Sequence, residues 1–157
     1  MMKNYRIELK WILIYVGSLL LWMILEKVSG FHDQHIDKHQ YLTLVFTIIH
    51  IIIYVLALRD KRNSFYNRSI SYKLAFMTGL IMTVIIALVS PLIQWIISYV
   101  ISPDYFKTVI EYSLETGYYT TLEEAKAYFN YGNYAIQSAV GALMMGLVFS
   151  VIIAFFV

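Results

Sequence analysis

Polar and apolar residues are segregated along this chain in long blocks, not short periods. Residues 11–25, 41–58, 71–101 and 135–157 are almost wholly apolar, and polar stretches separate them. Uninterrupted apolar runs of about 18 residues or more read as helices able to cross a bilayer. The second block would extend about 27 Å as a helix, enough to cross. The first follows Lys3, Arg6 and Lys10, the layout of a secretory signal, with Val28-Ser29-Gly30 as a small-residue cleavage site. The length of its apolar stretch and the interfacial character of Trp22 favour a retained span. The third block exceeds what a bilayer needs and should tilt or project beyond it. Pro91 lies inside it and predicts a kink. The fourth stops at Ala154-Phe155-Phe156-Val157 without a charged anchor, so a polar tail beyond it is expected.

The segment between the third and fourth blocks differs. It carries Tyr105, Tyr112, Tyr118, Tyr119, Tyr128, Tyr131 and Tyr134. Pro103 suits a first helical turn, and Phe106, Val109, Ile110 and Leu114 follow at helical spacing. Gly117 should end that helix. Thr121-Leu122-Glu123-Glu124 reads as a capping box opening another, with Leu122, Ala125 and Phe129 on one face. An amphipathic hairpin over about 103–130, lying on the membrane surface, is the expectation. The whole chain then forms one domain, an all-α integral membrane four-helix bundle with a periplasmic amphipathic helical hairpin between spans three and four.

Composition supports a lipid setting. Of 157 residues, 60% are hydrophobic and 14% charged, against about 25% charged in ordinary soluble domains. A net charge of +2 offers no nucleic-acid surface. The absence of cysteine excludes thiolate ligands, a thiol nucleophile and disulfides. Lys3, Arg6, Lys10, Arg59, Lys61, Arg62, Arg68 and Lys73 would lie on one side, with only Lys27, Lys38, Lys107 and Lys126 opposite. The positive-inside rule then places both termini in the cytoplasm. The cluster Arg59, Lys61, Arg62 and Arg68 reads first as a topology anchor and second as a lipid-headgroup contact.

Candidate chemistry is sparse. His32, His35 and His39 fall within "FHDQHIDKHQ" and would share one face if that stretch were helical, with Asp33 and Asp37 on another. Imidazoles suit zinc, copper or nickel, and Glu111, Glu115 or Glu124 could add a carboxylate. The simpler reading is a polar turn in which Asp37 and Gln40 cap span two, and Gly30 weakens a continuous helix. His50 lies at mid-span in "TIIHIII" and pairs with Gln94 as a candidate ligand or proton site. Its simpler reading is a neutral imidazole bonded to Ser90, Gln94 or Gln137. Ser138, Ala142, Gly146 and Ser150, with Gly79, Thr83 and Ala87, form small-residue stripes for close packing within the bundle or at a homodimer seam. No phosphate loop, nucleophile elbow or His-Glu-x-x-His pattern is present, so catalysis is not expected.

"YVLALRDKRN", "SYKLAFMTGL" and "SPLIQWIISYVISPDYF" together resemble an uncharacterised family of small membrane proteins of Bacteroidota, a domain-of-unknown-function family, and "GFHDQHIDKH" has the same flavour. The resemblance covers most of the chain. It implies four spans in an inner membrane, and no activity or site residue. The leading expectation is a non-enzymatic interaction or scaffold subunit of the envelope, in contact with the lipid bilayer and a protein partner or a second copy. The alternatives are an oligomeric transport or ligand-binding protein using His50 and the Pro91 kink, and a metal-binding protein using the three histidines with a divalent ion.

Overall fold

The computed structural model of the protein describes residues 5–157. Lys3 lies outside them. Six helices follow in order: α1 (Arg6–Val28), α2 (His39–Phe65), α3 (Tyr72–Ile96), α4 (Tyr105–Glu115), α5 (Leu122–Tyr128) and α6 (Tyr131–Phe156). A 3-10 turn (Ile36–Lys38) leads into α2, and a π-helical turn (Ile97–Ile101) closes α3. No strand occurs among the described residues. The four long helices are long and apolar enough to cross a membrane, in segments Arg6–Val28, Ile36–Phe65, Tyr72–Ile101 and Leu122–Phe156. The first, second and fourth begin before their apolar blocks, because helix continues into polar flanks once nucleated, while the third stays within its block.

The breaks have local causes. α1 ends where Gly30 adopts φ +81°, a conformation that side chains resist. Phe31 N–H then donates to Glu26 O, and Gly30 N–H to Lys27 O, closing a Schellman motif. α4 ends at Gly117, φ +71°, as expected. Thr121 caps α5 by accepting from Glu124 N–H, and Thr120 donates its hydroxyl to the Glu124 carboxylate. Asp37 does not cap α2: the helix starts from Lys38 without a side-chain cap, because the 3-10 turn leads directly into it. Pro91 does not interrupt α3, which stays helical to Ile96. Regular geometry is lost only afterwards, in the π turn.

α3 and α6 make the most extensive interhelical contact. The small-residue stripes form this seam within the chain. Gly79 faces Ser150, and Gly146 faces Thr83 and Tyr54. Tyr54, fully buried on α2, shares a hydrogen bond with Thr83, 2.9 Å. At the chain-terminal end, buried Glu8 of α1 pairs with Lys61 of α2 at 2.9 Å, and Lys10 and Trp11 both donate to Asp60. Arg62 donates to the Val157 carbonyl at the foot of α6. The outward faces are apolar: Leu13, Leu21, Leu44, Ile48, Leu88, Leu92, Ile136 and Val148 are all exposed. A surface this apolar and contiguous needs lipid or protein against it.

A Cβ at Gly146 would come within 2.8 Å of the Tyr54 hydroxyl, whereas one at Gly17 meets nothing within 4 Å. Gly146→Ala should therefore destabilise the bundle by about 1–3 kcal/mol through overpacking. Gly17→Ala should be neutral or stabilising by up to about 1 kcal/mol, through helix propensity. Unfolding of both in detergent would check this, and equal stabilities would contradict the seam.

Candidate metal centre

The reversal at Gly30 turns the chain back over the end of α1 and sends His32 inward. His32 and Glu26, from the last turn of α1, are each only 1% exposed. His39, on the first turn of α2, completes the group. His32 Nε2 lies 3.3 Å from Glu26 Oε2, and His39 Nδ1 lies 3.2 Å from the same oxygen. One ligand atom from each residue falls within a common span of 4.8 Å.

A carboxylate this deep requires partners. Trp22, one turn earlier on α1, donates its indole N–H to Oε1. Thr43, one turn along α2 from His39, donates its hydroxyl at 3.1 Å to Oε2. His32 is fixed from behind: its Nδ1 is 2.5 Å from Ser102 Oγ. Ser102 is itself buried and is delivered by the π turn, where its N–H reaches Ile97 O. Ser102 on Nδ1 fixes the ring and aims Nε2 at Glu26 Oε2, where Nε2 can donate a proton to the carboxylate or, deprotonated, offer its lone pair to a cation. Holding the remote ring nitrogen is how ligating histidines are oriented. The Tyr105 ring closes the group, 5.5 Å from His32 and 5.2 Å from His39 between centroids. Burial, then Tyr134 nearby, holds the Tyr105 phenol above its ordinary ionisation range, so it stays neutral.

His39 Nδ1 is buried and has no aligned hydrogen-bond partner among the described residues, although Glu26 is 3.2 Å away. A proton on Nδ1, or a metal cation between the two atoms, makes a contact at that distance attractive. Two tetrahedral Zn–N/O bonds of about 2.05 Å subtend a ligand separation of about 3.3 Å. The two measured separations match that edge. No thiolate is involved, so the donor set suits first-row divalent ions of intermediate softness.

Of the three histidines expected to act together, the structure unites His32 and His39 only. His35 is exposed, against Phe31 at 5.8 Å. The shared helical face does not exist, because Gly30 ends α1, His32 and His35 sit on turns, and only His39 is helical, at the start of α2. The carboxylate comes from Glu26, not from Glu111, Glu115 or Glu124 of the hairpin. Asp33 is occupied elsewhere: the Gln34 backbone N–H, then Lys27, hold its carboxyl below the usual range. Glu26, Thr43, Ser102 and Tyr105 were not foreseen. The available signal was an acid ending an apolar span, with Trp22 four residues before it.

His32 and His39 also face a cavity of about 400 Å³ between α1, α2, α3 and α6. His50 lines its far part, about 16 Å along α2 from His39. The expected bond from His50 Nε2 to Ser90, Gln94 or Gln137 is not made: that atom is buried with no partner among the described residues. Ser90 instead donates to Ile86 O, and the Gln94 amide donates to Ser98.

Residues 10–157 match the family described as "Protein of unknown function (DUF4199)", and the chain belongs to that family. No curated protein and no solved structure matches it.

Removing His32 strands Ser102 and weakens the cover of Glu26. In chelator, His32→Ala should cost about 1–3 kcal/mol, as for an unsatisfied buried polar group. His35→Ala should stay within about 0.5 kcal/mol, as for an exposed site. Thermal unfolding in detergent would compare them, and equal effects would remove His32 from the network.

Proposed function

We propose that this chain is a multi-pass membrane protein that binds one divalent transition-metal ion through Glu26, His32 and His39. The observation that carries the reading is the convergence of one ligand atom each from Glu26, His32 and His39, all within 4.8 Å of one another, beside a cavity. Three protein ligands beside a cavity leave room for a further ligand on the metal, the pattern of reactive sites more than of closed structural ones. Ser102, Thr43 and Trp22 hold the ligands in place from behind.

The metal centre and the α4–α5 hairpin lie at the end opposite Glu8 and Lys61. The excess of Lys and Arg at the Lys61 end supports a cytoplasmic placement of that end and both termini. The metal would then face the periplasmic side of an inner membrane. Exposed Tyr118, Leu122 and Tyr128 support placing the hairpin at the water–headgroup boundary, where tyrosine is favoured.

A second reading is the non-enzymatic scaffold. It takes Glu26 and its histidines as a closed polar network that only anchors the turn, and the satisfied Trp22, Thr43 and Ser102 contacts favour it.

Metal analysis by plasma mass spectrometry separates the two. Purified without a histidine tag and reloaded with Zn²⁺, wild-type protein should hold about one ion per chain. Glu26→Gln, His32→Ala and His39→Ala should each lose it, and His35→Ala should keep it. Ser102→Ala should bind about 10–100-fold more weakly. No ion in wild type, or loss on His35→Ala, would overturn the metal reading.

A further inference from the structure

The 400 Å³ cavity contains a second unsatisfied group, remote from the metal ligands. His50 is 6% exposed, lines the cavity, and its Nε2 has no partner among the described residues. The ring itself is gripped on three sides, by Tyr15 at 4.6 Å and by Tyr54 and Phe149 at 5.0 Å. It is therefore held firmly while one nitrogen is left wanting. An unmade hydrogen bond at such depth costs about 1–3 kcal/mol. A molecule supplying that bond would recover this cost on binding.

The walls restrict what the molecule can be. No Asp, Glu, Lys or Arg lines the cavity, so a charged ligand seated beside His50, away from His32 and His39, would lose its hydration without compensation. Tyr15, Phe46, Tyr105 and Tyr134 supply aromatic faces, which prefer rings to flexible chains. Gln94 adds a polar group on α3; one of its two amide N–H groups is committed to Ser98, leaving its carbonyl oxygen and the other N–H. A saturated acyl chain would fill the space and leave His50 Nε2 unbonded.

We infer that this cavity binds an uncharged, ring-bearing lipophile whose carbonyl or hydroxyl oxygen hydrogen-bonds His50 Nε2, the chemistry of a benzoquinone or hydroquinone head group. Neutral imidazole donates from Nε2 in one tautomer and accepts at it in the other, so a carbonyl and a hydroxyl are both accommodated. The inference stands on His50 and not on the metal ligands, so either can fail alone.

Calorimetric titration of nanodisc-embedded protein with a decyl-substituted benzoquinone, and separately with its hydroquinone, tests this. Empty nanodiscs report bilayer partitioning. Saturable binding above that background is expected from at least one form. His50→Leu should weaken it tenfold or more. Gly141→Phe provides a second route: Gly141 lines the cavity, and a side chain starting there meets nothing within 4 Å. It should abolish binding by filling the space while the thermal transition and Zn²⁺ stoichiometry stay as in wild type. Binding no greater than empty nanodiscs, or unchanged in both variants, would overturn the assignment and leave the cavity to water or acyl chains.

Discussion

A carboxylate withdrawn from water governs one end of this bundle. Glu26 sits 1% exposed at the close of an apolar helix, where an uncompensated charge would cost several kcal/mol. Everything around it answers that demand. Trp22 covers it from its own helix, Thr43 and His39 from α2, and His32 from the turn. Ser102 reaches His32 only because the π turn at the end of α3 sets it there. Three helices and two connections are thus tied to one side chain. The glycine at position 30 is a condition of the arrangement, because a reversal at φ +81° is what returns His32 over Glu26.

The other end uses the same device more simply, with Glu8 against Lys61 between α1 and α2. Between the two polar ends the helices rely on shape. The α3–α6 seam is tight because Gly79 and Gly146 bring backbones together around Ser150 and Thr83. Nearer the Glu26 end, α6 presents Ser138, Gly141 and Ala142, too small to reach α1 and α2, and the cavity occupies what they leave. Close packing at one level and open volume at another therefore come from the same choice of small residues.

Much of the architecture was legible in the sequence. Block hydropathy located the four long helices, and Gly117 and Thr121 located the hairpin's internal boundary, because these are local effects. The site was half legible. His32 and His39 stood out by type, but His35 was grouped with them by assuming a helix that Gly30 forbids. Glu26 follows directly on the first apolar block and carries no motif that marks it. Its partners lie up to 17 residues away on another helix, and only the folded chain brings them near. Lys61 read as part of a basic loop, yet it is buried within α2 against Glu8. His50 was expected to find a hydrogen bond to a neighbouring helix; at Nε2 it finds packing instead, since Ser90 and Gln94 are engaged elsewhere.

The central claim is that Glu26, His32 and His39 converge on one ion. X-ray absorption at the zinc edge of the Zn²⁺-loaded protein tests it most directly. The account predicts two imidazole ligands and an oxygen shell at about 2.0–2.2 Å, and loss of that bound-zinc spectrum in His39→Ala. A spectrum without imidazole scattering, or one unchanged by that substitution, would contradict it.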